Sequence, residues 1–152
     1  MERWLKPAFT VIGIEGSTED GPGFIPALWE KANARFSEVA ELAKYNPDGS
    51  PLAIWGAMTG FSRTFDPWED HFSRGLYLAG VECRDDAQPP AGWVRWSIPG
   101  FEYIRVENNS PDAFAQGLLL LQAKNLPLAG AVQELTEPAS GKSFLCFPVR
   151  RL

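Results

Sequence analysis

The chain has 152 residues, 45% of them hydrophobic and 12% aromatic, enough to build one sizeable core without disulfide or metal staples. Its 19 acidic and 14 basic residues give a formal charge of −5, with the basic residues scattered rather than gathered in a stripe, which argues against direct contact with a nucleic-acid backbone. No apolar run approaches the ~20 residues that span a bilayer, and the first seven residues lack the apolar core of a leader, so no membrane association is expected and the location read from the sequence is the cytoplasm.

Residues 8–16 are rich in strand formers, end in glycine and read as a first strand. After Gly21-Pro22-Gly23, the apolar residues Ile25, Leu28, Ala32, Phe36, Val39 and Leu42 recur every three or four positions, the stripe of an amphipathic helix that Asn46-Pro47-Asp48-Gly49 stops. Residues 52–59 and 75–82 read as strands on either side of a polar and aromatic stretch, 65–72. Breakers fill 85–90, and 93–106 reads as extended chain interrupted at Pro99-Gly100. Ser110-Pro111-Asp112 opens a second helix, because serine can cap, proline suits the first turn and an acid complements the positive end. Phe114, Leu118 and Leu121 mark its buried stripe, and Asn125-Leu126-Pro127 ends it. Residues 130–136 and 143–149 read as a closing hairpin.

The order strand, helix, strand, strand thus occurs twice, split near residue 88. The expected fold is α+β: a single domain over 1–152, a pseudo-twofold duplication (about 5–84 and 91–152) that forms an antiparallel sheet with two helices. Two half-sheets related in this way leave a central groove, a common place for a small-molecule pocket.

Phe9-Thr10-Val11-Ile12-Gly13-Ile14, Leu28-Trp29, Gly75 to Glu82, Pro90-Ala91-Gly92-Trp93, Ile98-Pro99-Gly100-Phe101-Glu102-Tyr103 and Phe147-Pro148-Val149 together resemble the GyrI-like, or effector-binding, domain family. The likeness spans nearly the whole chain in the right order. It implies a groove that accepts apolar or cationic aromatic compounds, with an acidic residue among aromatics on the strand after the second helix. The matching segment here, Gly130-Ala131-Val132-Gln133-Glu134-Leu135, makes Glu134 the candidate, with Gln133 taking its place if the register slips by one. Regulators of the AraC and MerR types carry such a domain beside a DNA-binding one, for which these 152 residues leave no room.

Glu134 lies in a short strand flanked by Val132 and Leu135, where an opposite charge would favour its ionised form and desolvation would raise its pKa. Trp55, Trp68, Tyr77, Phe101, Tyr103 and Phe147 are the aromatics expected to border the groove, where their rings can stack on a planar ligand or attract a cation. The 60–74 loop, with the only histidine, His71, is the second candidate region, a lid or pocket wall. Cys83 and Cys146 lie in separate apolar runs and read as buried free thiols; one histidine and unclustered carboxylates make no metal set, and no cofactor motif is present. The leading functional expectation is a binding module for hydrophobic, aromatic or cationic small molecules. Two alternatives follow from the resemblance: a hydrolase of reactive cyclopropane-containing compounds using Glu134 as acid or base, and a protein-interaction role like that of family members that inhibit DNA gyrase.

Overall fold

Residues 9–14 are apolar or glycine on both faces except for Thr10, and in the computed structural model, which describes residues 2–152, they form the fully buried part of the strand β2 (Phe9–Ser17). It is preceded by β1 (Glu2–Lys6) and followed by α1 (Phe24–Ala34), β3 (Ile54–Thr59), the single turn α2 (Glu69–Phe72), β4 (Leu76–Cys83), β5 (Val94–Ile98), β6 (Phe101–Glu107), α3 (Ala113–Ala123), β7 (Gln133–Glu137) and β8 (Lys142–Arg151). The strands make one curled, eight-stranded antiparallel sheet, a half-barrel, in the order β1-β6-β8-β7-β3-β4-β2-β5.

That order contains the expected duplication. β2, α1, β3 and β4 build one half, β6, α3, β7 and β8 the other, and the halves join where β3 pairs with β7 through Ile54↔Thr136, Trp55↔Leu135 and Gly56↔Glu134. β1 is an element that the sequence reading does not contain. It runs into β2 through Pro7-Ala8 yet pairs with β6, and β5 runs into β6 through Pro99-Gly100 yet pairs with β2. Each half therefore receives its edge strand from the other. The prolines fall in the two bends, where no ladder hydrogen bond is asked of them.

Period-two alternation divides the sheet into two faces. The inner face gathers Val11, Trp55, Leu78, Trp96, Phe101 and Tyr103 in a cluster supplied wholly by strands and loops, so the curl of the sheet, and no helix, buries it. Within it lies Glu82, 1% exposed, which accepts from Trp55 Nε1 at 3.0 Å and faces Lys6 Nζ at 3.1 Å and Lys44 Nζ at 3.3 Å. A carboxylate so placed is tolerated only when both oxygens are engaged, and here Lys6 ties the exchanged β1 to the half it left. The outer face is covered by the helices. α1 packs on β2 and β4 over Ile12, Ile14, Ala79 and Val81, and α3 packs on β6 and β8 over Ile104, Leu145 and Phe147. Cys83 and Cys146 are buried and unpaired. No helix among the described residues is long and apolar enough to cross a membrane.

α1 is shorter than its apolar stripe implies. It ends at Ala34, a tight turn follows at Phe36–Glu38, and the chain is then drawn across the end of β4 by Lys44 N donating to Glu82 O and Arg84 N donating to Leu42 O. Val39 and Ala43 reach the core from these turns, so their spacing reflects burial without helix.

α3 lies close on β8 because Gly117 has no side chain; a Cβ there would fall on the ring of Phe147, which is completely buried. Gly117→Ala therefore sets helix propensity, a gain of about 1 kcal/mol, against overpacking, a cost of about 1–3 kcal/mol. The expected result is a lower denaturation midpoint than that of the native protein in a urea titration; a higher one would mean that the ring gives way freely.

Candidate functional site

The helices cover the outer face of each half but not the line where the halves meet. There β3 presents Ile54, Gly56 and Met58, and β7 with the residues before it presents Val132, Glu134 and Thr136. Trp29 of α1 stands on one side of this floor and Phe114 of α3 on the other. Trp29 is half-buried, packing with Leu28 against the core under α1 while its indole N–H reaches Tyr77 at the seam.

Glu134 occupies the middle of the floor. Its Oε1 accepts a 2.6 Å hydrogen bond from Tyr77 Oη, and that oxygen accepts a 2.9 Å bond from Trp29 Nε1. The chain of donors is possible because residue 56 is glycine: a Cβ there would coincide with Tyr77 Oη and Glu134 Oε1. Burial pushes the Glu134 carboxyl above the usual carboxylate range, and the Tyr77 donor opposes that shift only in part. Burial, then the neighbouring carboxylate, push the Tyr77 phenol well above its ordinary value. Oε2 of Glu134 has no hydrogen-bond partner among the described residues.

Cavities open on either side. Towards Met58 lies a chamber of about 200 Å³ lined by Met58, Trp68, Phe72, Phe114, Ala131 and Val132. Towards Ile54 lies one of about 180 Å³ whose wall includes Trp29, Glu134, Asn108, Thr136 and Ser143. The outer wall of the first comes from the 60–74 loop. Trp68 packs its indole over Gly75 and donates to Leu76 O at 3.0 Å, and Phe72 meets Phe114 edge to face with centroids 5.2 Å apart, closing the groove between the halves. α2 holds Asp70, His71 and Phe72 at φ of 49°, 58° and 66°, a left-handed turn without glycine, which costs roughly 1–2 kcal/mol per residue.

Of the residues expected at the groove, the structure brings together Glu134, Tyr77 and Trp68. Gln133 faces the opposite way, where its amide accepts from Met58 N at 2.7 Å and donates to Met58 O at 3.0 Å, clipping β7 to β3 beyond their backbone pairing. Trp55, Phe101 and Tyr103 are corrected: the alternation of their strands turns them to the inner face, where all are buried. Phe147 shares the outer face with Glu134 but is buried under Gly117, and it backs Phe114 instead of bordering the groove. His71 is exposed on the left-handed turn and lines neither chamber. Phe72 belongs to the 60–74 loop expected as a pocket wall, whereas Trp29, Phe114, Asn108, Thr136 and Ser143 are groove residues that sequence reasoning missed.

Solved structures share this architecture. They include SAV2435 bound to tetraphenylphosphonium (17% identity, TM-score 0.64, covering 98% of this chain and 93% of that one). The EcmrR C-terminal domain is similar at 13% identity and TM-score 0.63, covering 99% and 98% of the two chains. A hydrolase from Listeria innocua is similar at 12% identity and TM-score 0.54, covering 97% and 90%. No family model and no curated protein matches the sequence. The chain has the GyrI-like fold.

A carboxyl whose pKa is higher folded than unfolded binds its proton more tightly in the native state, so stability falls as pH rises from the unfolded value, about 4.3, through the raised folded one. Glu134→Gln keeps an acceptor for Tyr77 and has no such decline. Its Tm is expected to exceed that of the native protein at pH 8, and the gap is expected to close as the pH approaches about 4. A gap independent of pH would show that Glu134 titrates normally.

Proposed function

We propose that the groove binds apolar organic cations, drug-like or xenobiotic in character, with Glu134 as the anchor and Trp29, Trp68, Phe72 and Phe114 as the walls. The observation that carries this reading is a half-buried carboxyl with one uncommitted oxygen, set between aromatic surfaces at the open seam. Leaving such a group ionised and unpaired is costly, so a counter-charge arriving in the groove recovers what desolvation took. Small inorganic cations are poorly matched, because the groove offers too few oxygens to replace their water. A bulky, weakly hydrated organic cation loses little on entry, and ring faces add about 0.5–2 kcal/mol each. The binding of tetraphenylphosphonium by SAV2435, which shares the fold, supports the same ligand class here. On this reading each strand-helix-strand-strand half is one SHS2-type repeat of a single ligand-binding domain, and breadth of ligand, as in multidrug binding, would follow from walls made of rings and methionine.

Burial, which raises the Glu134 pKa, together with the Tyr77 hydroxyl held 2.6 Å from its carboxyl, also favours a second reading, hydrolysis of a small electrophile, in which Glu134 acts as acid and then as base. The fold likeness to a hydrolase supports it.

Calorimetric titration with tetraphenylphosphonium, and with neutral triphenylphosphine oxide as the control, tests the first reading. Micromolar affinity for the cation is expected, rising with pH as Glu134 ionises. Glu134→Gln is expected to weaken the cation at least tenfold, about 1.4 kcal/mol, and the neutral compound far less. Equal losses would remove the charge argument, and no binding of the cation by the native protein would overturn the reading.

A further inference from the structure

The two chambers beside Glu134 differ in chemistry. The one towards Met58 is lined by side chains with no polar group except the indole N–H of Trp68, which is already spent on Leu76 O. The one towards Ile54 holds the amide of Asn108 and the hydroxyls of Thr136 and Ser143. The hydroxyls bond each other at 2.9 Å, which leaves one proton and lone pairs uncommitted, and Asn108 lines the same chamber. Apart from Glu134, no residue lining this end is charged. These are donors and acceptors for a neutral polar group.

Positions 132, 134 and 136 are successive outward-facing residues of one extended segment, as are 58, 56 and 54 on the strand beside it. Glu134 itself lines the Ile54 chamber, and at about 3.3 Å per residue Val132 and Met58, which line the other, lie roughly 6–7 Å along the strands from Glu134 and Gly56. The chamber volumes of about 200 and 180 Å³ together reach the lower range of drug-sized pockets.

We infer that the groove selects an elongated three-part ligand: a compact apolar or aromatic head in the Met58 chamber, a cationic nitrogen at Glu134, and a neutral hydrogen-bonding tail, such as an amide, carbonyl or hydroxyl, held by Asn108, Thr136 and Ser143. This rests on the reading of Glu134 as a cation anchor and adds direction to it. The aromatic end must point towards Phe114 and Phe72, since the reverse orientation would place apolar bulk on the hydroxyls and leave the tail's polar atoms without partners.

The test compares two cations with the same head and nearly the same length, benzyldimethyl(3-acetamidopropyl)ammonium and benzyldimethyl(hexyl)ammonium, with tetraphenylphosphonium titrated in parallel. The double variant Thr136→Val with Ser143→Ala removes both partners of the hydroxyl pair together, so neither is left orphaned, and Asn108→Ala removes the exposed amide independently. In each, the ratio of affinities is expected to shift at least fivefold away from the amide-tailed cation, while the Tm stays close to that of the native protein. An unshifted ratio in both variants, with tetraphenylphosphonium still bound by the native protein, would overturn the three-part ligand and leave the anchor standing. Failure of all three cations to bind the native protein would overturn both.

Discussion

Two helices cannot roof eight strands. Each helix has eleven residues and is about 16 Å long at 1.5 Å per residue, whereas eight strands spaced about 4.8 Å apart extend across roughly 34 Å. The sheet resolves the shortage by curling, which buries its inner face against itself and leaves only the outer face to be covered. Each helix then sits over the middle of its own half, and the uncovered remainder falls at the seam where β3 meets β7. The groove is what this geometry leaves over, and the chemistry placed there is what distinguishes it from a packing defect.

That chemistry is assembled from both halves. Glu134 belongs to the second, while Tyr77, Trp29 and Gly56 belong to the first, so the hydrogen-bonded chain from indole to phenol to carboxyl exists only when the halves are joined. Phe72 and Phe114 make the same kind of link across the top of the groove. The site is thus built at an internal interface, and the side chains that define it also register one half against the other. The left-handed turn that carries Phe72 is a local cost set against that closure.

Much of this architecture is legible in the sequence because its causes are local. Helix stripes, breakers and strand propensity place seven of the eight strands and the two long helices, and the repeated order of elements implies the seam. β1 escapes because its residues, Glu2 to Lys6, are mostly exposed and it gains its place only by pairing with β6, about a hundred residues away. The register of the last hairpin turns Glu134 outward and Gln133 inward, a distinction that two adjacent polar residues in an apolar run do not announce. The aromatics divide by the same parity. Trp55, Phe101 and Tyr103 look like groove residues by composition, but the inner face needs large rings because it has no helix to fill it.

The exchange of edge strands has a consequence for how the molecule comes together. With Glu2 opposite Arg105 and Phe9 opposite Ile98, the outermost ladders close loops of roughly a hundred residues, so much of the sheet is non-local in the sense that slows folding. During synthesis β1 is left without its partner for about a hundred residues, because β6 must be made before β1 can pair with it. Neither half is self-sufficient: cut between β4 and β5, the first would lose the partner of β1 and the second would lose the host of β5. Through this crossing the two strand-helix-strand-strand halves depend on each other for their outermost ladders, and neither is a portable module.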